Sequence, residues 1–304
     1  MIEVRRAPAY ATIQDEGRTG FRSSGVPHAG AMDIPALRTL DALLRNRDPT
    51  ASIEWALTGG EIAFTSRVML ATGGAADGVS LNGSKIEPYR VHSVDAGDVL
   101  SVDRVRGGRF LYLAVAGGID VPRVLGSRST YLPAAFGGLN GRRLRTGDSL
   151  PVGDPSPATR HFVTDPLPSK LLPGTANQPV RYIARPAAPD LAGGNWNVAM
   201  ASDRTGYRLD GQTVPGGASI TSEPVCSGVI QLPPSGEPIV LMADAPTIGG
   251  YLIIGTVISA DLGALAQRGP GESVTFQEVS VEHGQKAALA EEERLEEIRE
   301  WALG

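Results

Sequence analysis

The sequence predicts a mainly β protein with two domains and few helices. Glycine and proline, at 38 and 23 of 304 residues, supply about one residue in five, a density typical of short strands joined by tight turns. Runs rich in β-branched and aromatic residues recur along the chain, and most of them end at Gly, Pro, Asn or Asp. The chain is also long enough for two domains that each bury a core.

Eight of these runs carry the strand prediction. Their turn-bounded pattern is typical of antiparallel strands in barrels or sandwiches, and the pattern alone leaves both arrangements open. The predicted strands cover residues 61–64, 67–71, 99–102, 110–115, 180–183, 229–232, 239–242 and 273–276.

Three helices are predicted between and after the strands. The first begins after Asp33, a good N-cap residue that is followed by Pro35 in the first turn, and it ends by Asn46. The second covers residues 259–267 and stops before a Gly-Pro pair. The third covers residues 287–303, where glutamates surround a narrow apolar stripe, so this helix is expected to be solvated on most sides.

A proline-rich segment divides the predicted domains. We expect an N-terminal β domain over residues 1–160, a C-terminal β domain over residues 175–284 and a C-terminal helix over residues 285–304. Several short motifs also recur in the same order, as Arg18-Thr19-Gly20 and Arg204-Thr205-Gly206 illustrate. This recurrence favours two related β domains.

Charge and composition exclude several classes of partner. With 28 basic and 33 acidic residues, the chain has no net positive field for nucleic acid or for an anionic membrane surface. No apolar stretch approaches the ~20 residues that a bilayer span needs, and no secretory signal is expected at the N-terminus. A cytoplasmic protein is therefore expected. Cys226 is the single cysteine, which excludes an internal disulfide and a thiolate cluster, and we expect it to be buried.

Familiar catalytic motifs are missing from the sequence. It contains no P-loop, no dinucleotide fingerprint and no G-x-S-x-G elbow, and none of its lysines has the setting of a biotin carrier. The four histidines are far apart, so no metal site is expected. We therefore predict that this chain binds no cofactor of its own.

Three loop clusters remain as candidates for a site. They cover residues 14–33, 117–144 and 243–251, and they are dense in Gly, Arg, Ser, Thr and Asp. Glycine lets backbone amides approach a ligand, and the planar fork of Arg128 can hold a carboxylate at two points. The alternative is that these are ordinary tight turns in which Arg pairs with Asp.

Taken together, the clusters resemble one family, allophanate hydrolase subunit 2, also described as KipA-like proteins and as the C subunit of 5-oxoprolinase. The resemblance extends from Val4 to about Val279. The motifs that carry it are Gln14-Asp15-x-Gly17-Arg18, Gly25-Val26-Pro27, Gly30-Ala31-Met32-Asp33, Gly126-Ser127-Arg128-Ser129-Thr130, Gly228-x-Ile230-Gln231 and Asp244-x-x-Thr247-x-Gly249-Gly250-Tyr251.

The resemblance implies two barrel-like domains of cyclophilin-like type. It also implies a subunit-1 partner similar to KipI or to the B subunit of 5-oxoprolinase, and possibly the 5-oxoprolinase A subunit as well. A small amide or lactam would be the substrate, and ATP or biotin would be used only through partner subunits. The chain alone is then expected to be catalytically silent.

Two functions follow from this resemblance. The leading one is a subunit of a 5-oxoprolinase-type complex, which converts 5-oxoproline to glutamate with ATP, or of a carboxyltransferase-like complex related to urea carboxylase and allophanate hydrolase. The alternative is a regulatory, non-catalytic protein of KipA type that binds a KipI-like kinase inhibitor.

Within the leading function, candidate site residues come from the loop clusters. Arg128 is expected to hold a substrate carboxylate, and Asp244 with Thr247 to orient an amide N–H. Asp33 and Glu54 are second-rank acids, for which structural roles, as a helix cap and as a strand-pairing partner, are open alternatives. The expected substrate-binding residues are Ser127, Ser129, Thr130, Gly249, Gly250, Tyr251 and Asp33.

Overall fold

The structure, a computed structural model, describes residues 1–46, 49–155, 162–174 and 178–304, and it is mainly β as the sequence predicts. Among these residues the helices are α1 (Ile34–Leu43), α2 (Ser259–Ala266) and α3 (Val281–Leu303). The strands are β1 (Ile2–Arg6), β2 (Tyr10–Gln14), β3 (Ser52–Ala56), β4 (Thr58–Phe64), β5 (Val68–Gly74), β6 (Val79–Leu81), β7 (Ser84–Lys85), β8 (His92–Val94), β9 (Val99–Arg104), β10 (Phe110–Val115), β11 (Ser149–Leu150), β12 (Val180–Ala184), β13 (Trp196–Val198), β14 (Gly206–Asp210), β15 (Ser219–Pro224), β16 (Val229–Leu232), β17 (Ile239–Leu241), β18 (Ile248–Val257), β19 (Ser273–Val274) and β20 (Phe276–Glu278).

The chain divides into two compact units. The first unit comprises Met1–Gly17, Asp33–Pro173 and Glu293–Gly304, and the second comprises Arg18–Met32 and Gly174–Glu292. This division differs from the predicted domain bounds in two respects. A segment of the N-terminal half belongs to the second unit, and the C-terminal helix is divided between the units.

Two arginines explain why the early segment joins the second unit. The Arg22 guanidinium donates hydrogen bonds to the carbonyl oxygens of Val225 and Pro246. The Arg204 guanidinium donates to the carbonyl oxygen of Gly30 at 2.5 Å. Such contacts across about 200 residues leave no local pattern in the sequence. The predicted domain ends at positions 160 and 175 lie outside the described residues.

Two sheets build the first unit. The strand order is β11-β1-β4-β9-β6-β7 in a six-stranded sheet and β2-β3-β10-β5-β8 in a five-stranded sheet. Alternate residues of both sheets, among them Ile2 and Val4 of β1 and Leu111 and Leu113 of β10, join one buried cluster. Because strand side chains alternate between faces, the residues between these point the other way.

Helix α1 covers the outer face of the five-stranded sheet, the face away from that cluster. Its predicted start is confirmed, because the Asp33 carboxylate accepts a hydrogen bond from the Ala36 amide at 3.0 Å. Leu37 and Leu40 are fully buried on its inner side. Leu40 packs against Gly73 of β5, since a Cβ placed on Gly73 would lie 3.2 Å from the Leu40 Cδ2 atom.

The second unit contains a nearly closed, barrel-like sheet. Its strand order is β19-β13-β14-β17-β16-β18-β12-β20, and β15 pairs with β18 off this path. The two end strands are separated in the chain only by Thr275. The sheet therefore curves until its ends meet, and the Val180 amide donates to the Thr275 carbonyl oxygen at 2.8 Å. The mainly β, barrel-like fold class is thus confirmed.

Helix α3 begins six residues earlier than predicted, at Val281. The Ser280 hydroxyl accepts a hydrogen bond from the His283 amide at 3.2 Å, a capping contact that the prediction overlooked.

Cys226 is exposed, so the expectation that it is buried was wrong. Within the described ranges, no helix combines the length and the apolar character that crossing a bilayer requires.

Candidate functional site

Asp15 fixes the shape of the loop that carries four predicted site residues. Its Oδ1 atom accepts hydrogen bonds from the hydroxyls of Ser127, at 2.6 Å, and Ser129, at 2.5 Å. Its Oδ2 atom accepts from the Arg128 amide at 2.6 Å. Ser127 and Ser129 are fully buried. Both hydroxyls thus donate to the Asp15 carboxylate, and their expected role in substrate binding stays a prediction.

The Arg128 side chain has partners of its own. Its Nε atom donates to the Val121 carbonyl oxygen at 2.9 Å, and its Nη2 atom lies 2.7 Å from Asp120 Oδ1. This is the pairing of Arg with Asp that the sequence left open. Asp120 is 57% exposed, and exposed ion pairs contribute only ~0–1 kcal/mol. A substrate carboxylate could therefore replace Asp120, and the predicted role of Arg128 stays a prediction.

A row of buried polar side chains crosses the outer face of the five-stranded sheet. Thr12, Glu54 and Tyr112 stand opposite one another on β2, β3 and β10. The Tyr112 hydroxyl donates to Glu54 Oε2 and accepts from the Asp33 amide, both at 2.8 Å. Burial, and then the nearby Glu54 and Asp33 carboxylates, hold the pKa of Tyr112 well above its usual range. Tyr112 therefore remains a neutral phenol and a hydrogen-bond donor.

Gln14 connects this polar row to the loop around Asp15. Its Nε2 atom donates to Thr12 Oγ1 at 3.0 Å and to the Thr130 carbonyl oxygen at 3.2 Å. The Thr130 hydroxyl donates in turn to the Ile13 carbonyl oxygen at 3.0 Å. In the first unit, the hydrogen bonds of Asp33 with Tyr112 and those of Gln14 with Thr130 thus lie along one sheet face, where Thr12 and Glu54 are neighbours across β2 and β3.

Asp244 of the second unit forms a buried ion pair with Arg204. The two guanidinium–carboxylate hydrogen bonds measure 3.0 and 2.9 Å, and the two side chains are only 5% and 8% exposed, respectively. The Asp244 amide also donates to the Arg204 carbonyl oxygen at 2.8 Å. A two-point pair of this kind holds the loop before β18 in place.

The rest of this loop leads into β18. The Thr247 carbonyl oxygen accepts a hydrogen bond from the Val225 amide at 3.1 Å, and Tyr251 is 39% exposed. Gly249 leaves room for the Gln231 side chain of β16, because a Cβ at this position would lie 2.3 Å from Gln231 Nε2. Asp244, Thr247, Gly249, Gly250 and Tyr251 are therefore parts of one loop and strand start in the second unit.

Three residues that hold predicted site residues in place were missed by the sequence reasoning. Asp15 stands in the first loop cluster and Arg204 in a recurring motif, so both carried a signal that could have marked them. Tyr112 lies inside an apolar strand, where only its phenol distinguishes it. In the described parts of the chain, no group of three or more His, Cys, Asp or Glu side chains is arranged to hold a metal ion.

Comparison with known proteins places this arrangement among carboxyltransferase-related chains. Residues 24–278 match the family described as "Carboxyltransferase domain, subdomain A and B". The C subunit of 5-oxoprolinase from Haemophilus influenzae is 37% identical over 302 residues, which cover 98% of this chain and 98% of that protein. The C subunit of 5-oxoprolinase from Escherichia coli is 36% identical over 313 residues, with 100% and 99% covered.

Solved structures agree with the sequence similarity. The urea carboxylase of Kluyveromyces lactis has a TM-score of 0.88 to this chain at 27% identity. That match covers 98% of this chain but only 29% of the urea carboxylase chain. These similarities confirm the resemblance that the motifs indicated.

Proposed function

We propose that this chain, which belongs to the family of the carboxyltransferase domain, subdomain A and B, is the C subunit of a 5-oxoprolinase-type complex. Such a complex opens the lactam of 5-oxoproline to glutamate with hydrolysis of ATP. The observation that carries the proposal is end-to-end similarity to the C subunits of two 5-oxoprolinases, at 36% and 37% identity over 98% or more of both chains. Urea carboxylase, by contrast, contains this fold as a minor part of a much longer chain.

The proposal assigns the remaining machinery to other subunits. The partners are a subunit-1 protein, similar to KipI or to the 5-oxoprolinase B subunit, and the 5-oxoprolinase A subunit. ATP, and biotin if the complex uses it, is held by those chains, because this sequence offers no motif for either. We also propose that the complex is cytoplasmic, and cell fractionation tests this location.

The loop at residues 127–130 is proposed to receive the carboxylate of the acidic lactam. Arg128 would exchange its exposed partner Asp120 for the substrate carboxylate, since an exposed pair is held weakly. In the second unit, the two-point pair with the buried Arg204 holds the Asp244 carboxylate in place, and Asp244 with Thr247 is a separate candidate to accept an amide N–H. Ser127 and Ser129 would act by holding the Arg128 loop through Asp15.

Reconstitution with the cognate subunits tests the proposal. The chain is co-expressed with its subunit-1 partner and its A-type partner, and the purified mixture is supplied with 5-oxoproline and ATP. We expect glutamate and ADP to form only when this chain is present. If the chain binds its subunit-1 partner but glutamate formation does not depend on it, the regulatory alternative is favoured. If the mixture acts only with carboxybiotin and urea, the carboxyltransferase route is favoured.

A further inference from the structure

Two buried polar atoms on the outer face of the five-stranded sheet lack a hydrogen-bond partner in the described parts of the chain. They are Gln14 Oε1 on β2 and Ser52 Oγ on β3. The two residues stand directly opposite each other, and both are fully buried. Because an unpaired buried polar atom destabilises a fold, such a pair is usually completed by ordered water or by a ligand.

The orientation of the Gln14 amide is fixed by its other end. Its Nε2 atom donates both to Thr12 Oγ1 and to the Thr130 carbonyl oxygen. The Oε1 atom is therefore committed to be an acceptor. The Ser52 hydroxyl can donate or accept. The next pair along these two strands is Thr12 and Glu54, which belong to the polar row that Tyr112 completes.

We propose that Gln14 Oε1 and Ser52 Oγ form the recognition point for the amide edge of a small lactam, amide or ureide. In this assignment Gln14 Oε1, in place of Asp244, accepts the ligand N–H, and Ser52 Oγ donates to the adjacent carbonyl oxygen. A carboxylate offers only acceptors and an ammonium ion only donors, whereas an amide offers one of each on neighbouring atoms. Naming 5-oxoproline as this ligand rests on the proposed function. Because both atoms are fully buried, a ligand reaches them only when the chain opens around them, so the test uses the assembled complex.

Ser52→Ala and Thr72→Val form a matched pair of variants. Thr72 of β5 is also fully buried, and its hydroxyl also has no partner among the described residues. It stands opposite Leu113, however, and so faces the apolar cluster on the other side of the same sheet. Each variant removes one unsatisfied hydroxyl, so both are expected to keep or raise the Tm of the chain.

Activity separates the two variants. In the reconstituted complex, Ser52→Ala is expected to raise the KM for 5-oxoproline about tenfold, while Thr72→Val leaves it unchanged. N-methyl-5-oxoproline, which lacks the N–H, is expected to compete at least about tenfold more weakly than 5-oxoproline itself. The proposal is overturned if Ser52→Ala and Thr72→Val have the same KM for 5-oxoproline, whether that KM is unchanged or raised. It is also overturned if N-methyl-5-oxoproline competes as strongly as 5-oxoproline.

A binding measurement keeps this site distinct from the proposed function. If the wild-type complex does not turn over 5-oxoproline, the proposed function fails, and equilibrium dialysis with labelled 5-oxoproline, acetamide and urea still tests the site. Weaker binding to the Ser52→Ala complex than to the Thr72→Val complex would support the amide site. Absence of binding by the wild-type complex, or equal binding by both variants, would overturn it and indicate that only structural water fills this face.

Discussion

Replacing Asp15 by alanine should destabilise the first unit more than any exposed substitution in it. The carboxylate accepts hydrogen bonds from the amides of Gly17 and Arg128 and from the hydroxyls of Ser127 and Ser129. Hydrogen bonds to a charged group contribute ~1.5–3 kcal/mol each. Their effects are not additive, and each buried donor left without its acceptor costs ~1–3 kcal/mol. We therefore expect Asp15→Ala to lower the free energy of unfolding by about 3–5 kcal/mol.

Urea unfolding of the isolated chain measures this loss, and hydrogen exchange locates it. The amides of the loop at residues 127–130 should exchange faster in Asp15→Ala, because the acceptor that orders them is gone. The matched control is Asp120→Ala, which removes an exposed carboxylate near the same loop and should lower the free energy of unfolding by at most ~1 kcal/mol. A loss below ~1 kcal/mol in Asp15→Ala, or one equal to the control, would show that the Asp15 carboxylate does not hold this loop in place.

Three further predictions concern Arg204, Arg128 and Asp41. Arg204→Met leaves Asp244 buried without its counter-charge, so the free energy of unfolding in urea should fall by ~3–5 kcal/mol. Adding Asp244→Leu should restore part of this free energy. An unchanged free energy of unfolding in Arg204→Met would count against the ion pair. Arg128→Lys keeps the charge but loses the two-point contact, so the KM for 5-oxoproline should rise at least about tenfold in the complex; a lower Tm with an unchanged KM would leave Arg128 a purely structural role. Burial raises the pKa of Asp41 from 3.8 to about 6, so the folded protein keeps a proton that the unfolded chain releases. The free energy of unfolding should then fall by up to ~3 kcal/mol as pH rises from about 4 to about 7, and an equally steep fall in Asp41→Asn would contradict this assignment.

Most strands and helices that have a local residue pattern could be predicted from the sequence. Strands such as β10 follow from a bounded run of β-branched and aromatic residues, and α1 follows from Asp33 with a proline in the first turn. The start of α3 was misplaced because the Ser280 cap precedes a stretch with little apolar periodicity. Local patterns thus identify elements better than they identify their ends.

Long-range contacts account for what local reasoning could not predict. The loop at residues 127–130 was found from its glycine and its hydroxyls, but its organising residue, Asp15, lies 112 residues before Ser127. The contact of Arg204 with Gly30 spans 174 residues and places an N-terminal segment in the second unit. Neither pairing alters composition or periodicity nearby, so only the folded chain reveals it.

A titration tests whether this chain is, as proposed, a required subunit of a 5-oxoproline-opening enzyme. The chain is added in increasing amounts to fixed amounts of its cognate subunit-1 and A-type partners with 5-oxoproline and ATP, and glutamate formation is followed. We predict no glutamate without the chain and a linear rise that levels off at a fixed molar ratio. Glutamate formation at full rate without the chain, or no glutamate formation at any molar ratio, would contradict this role.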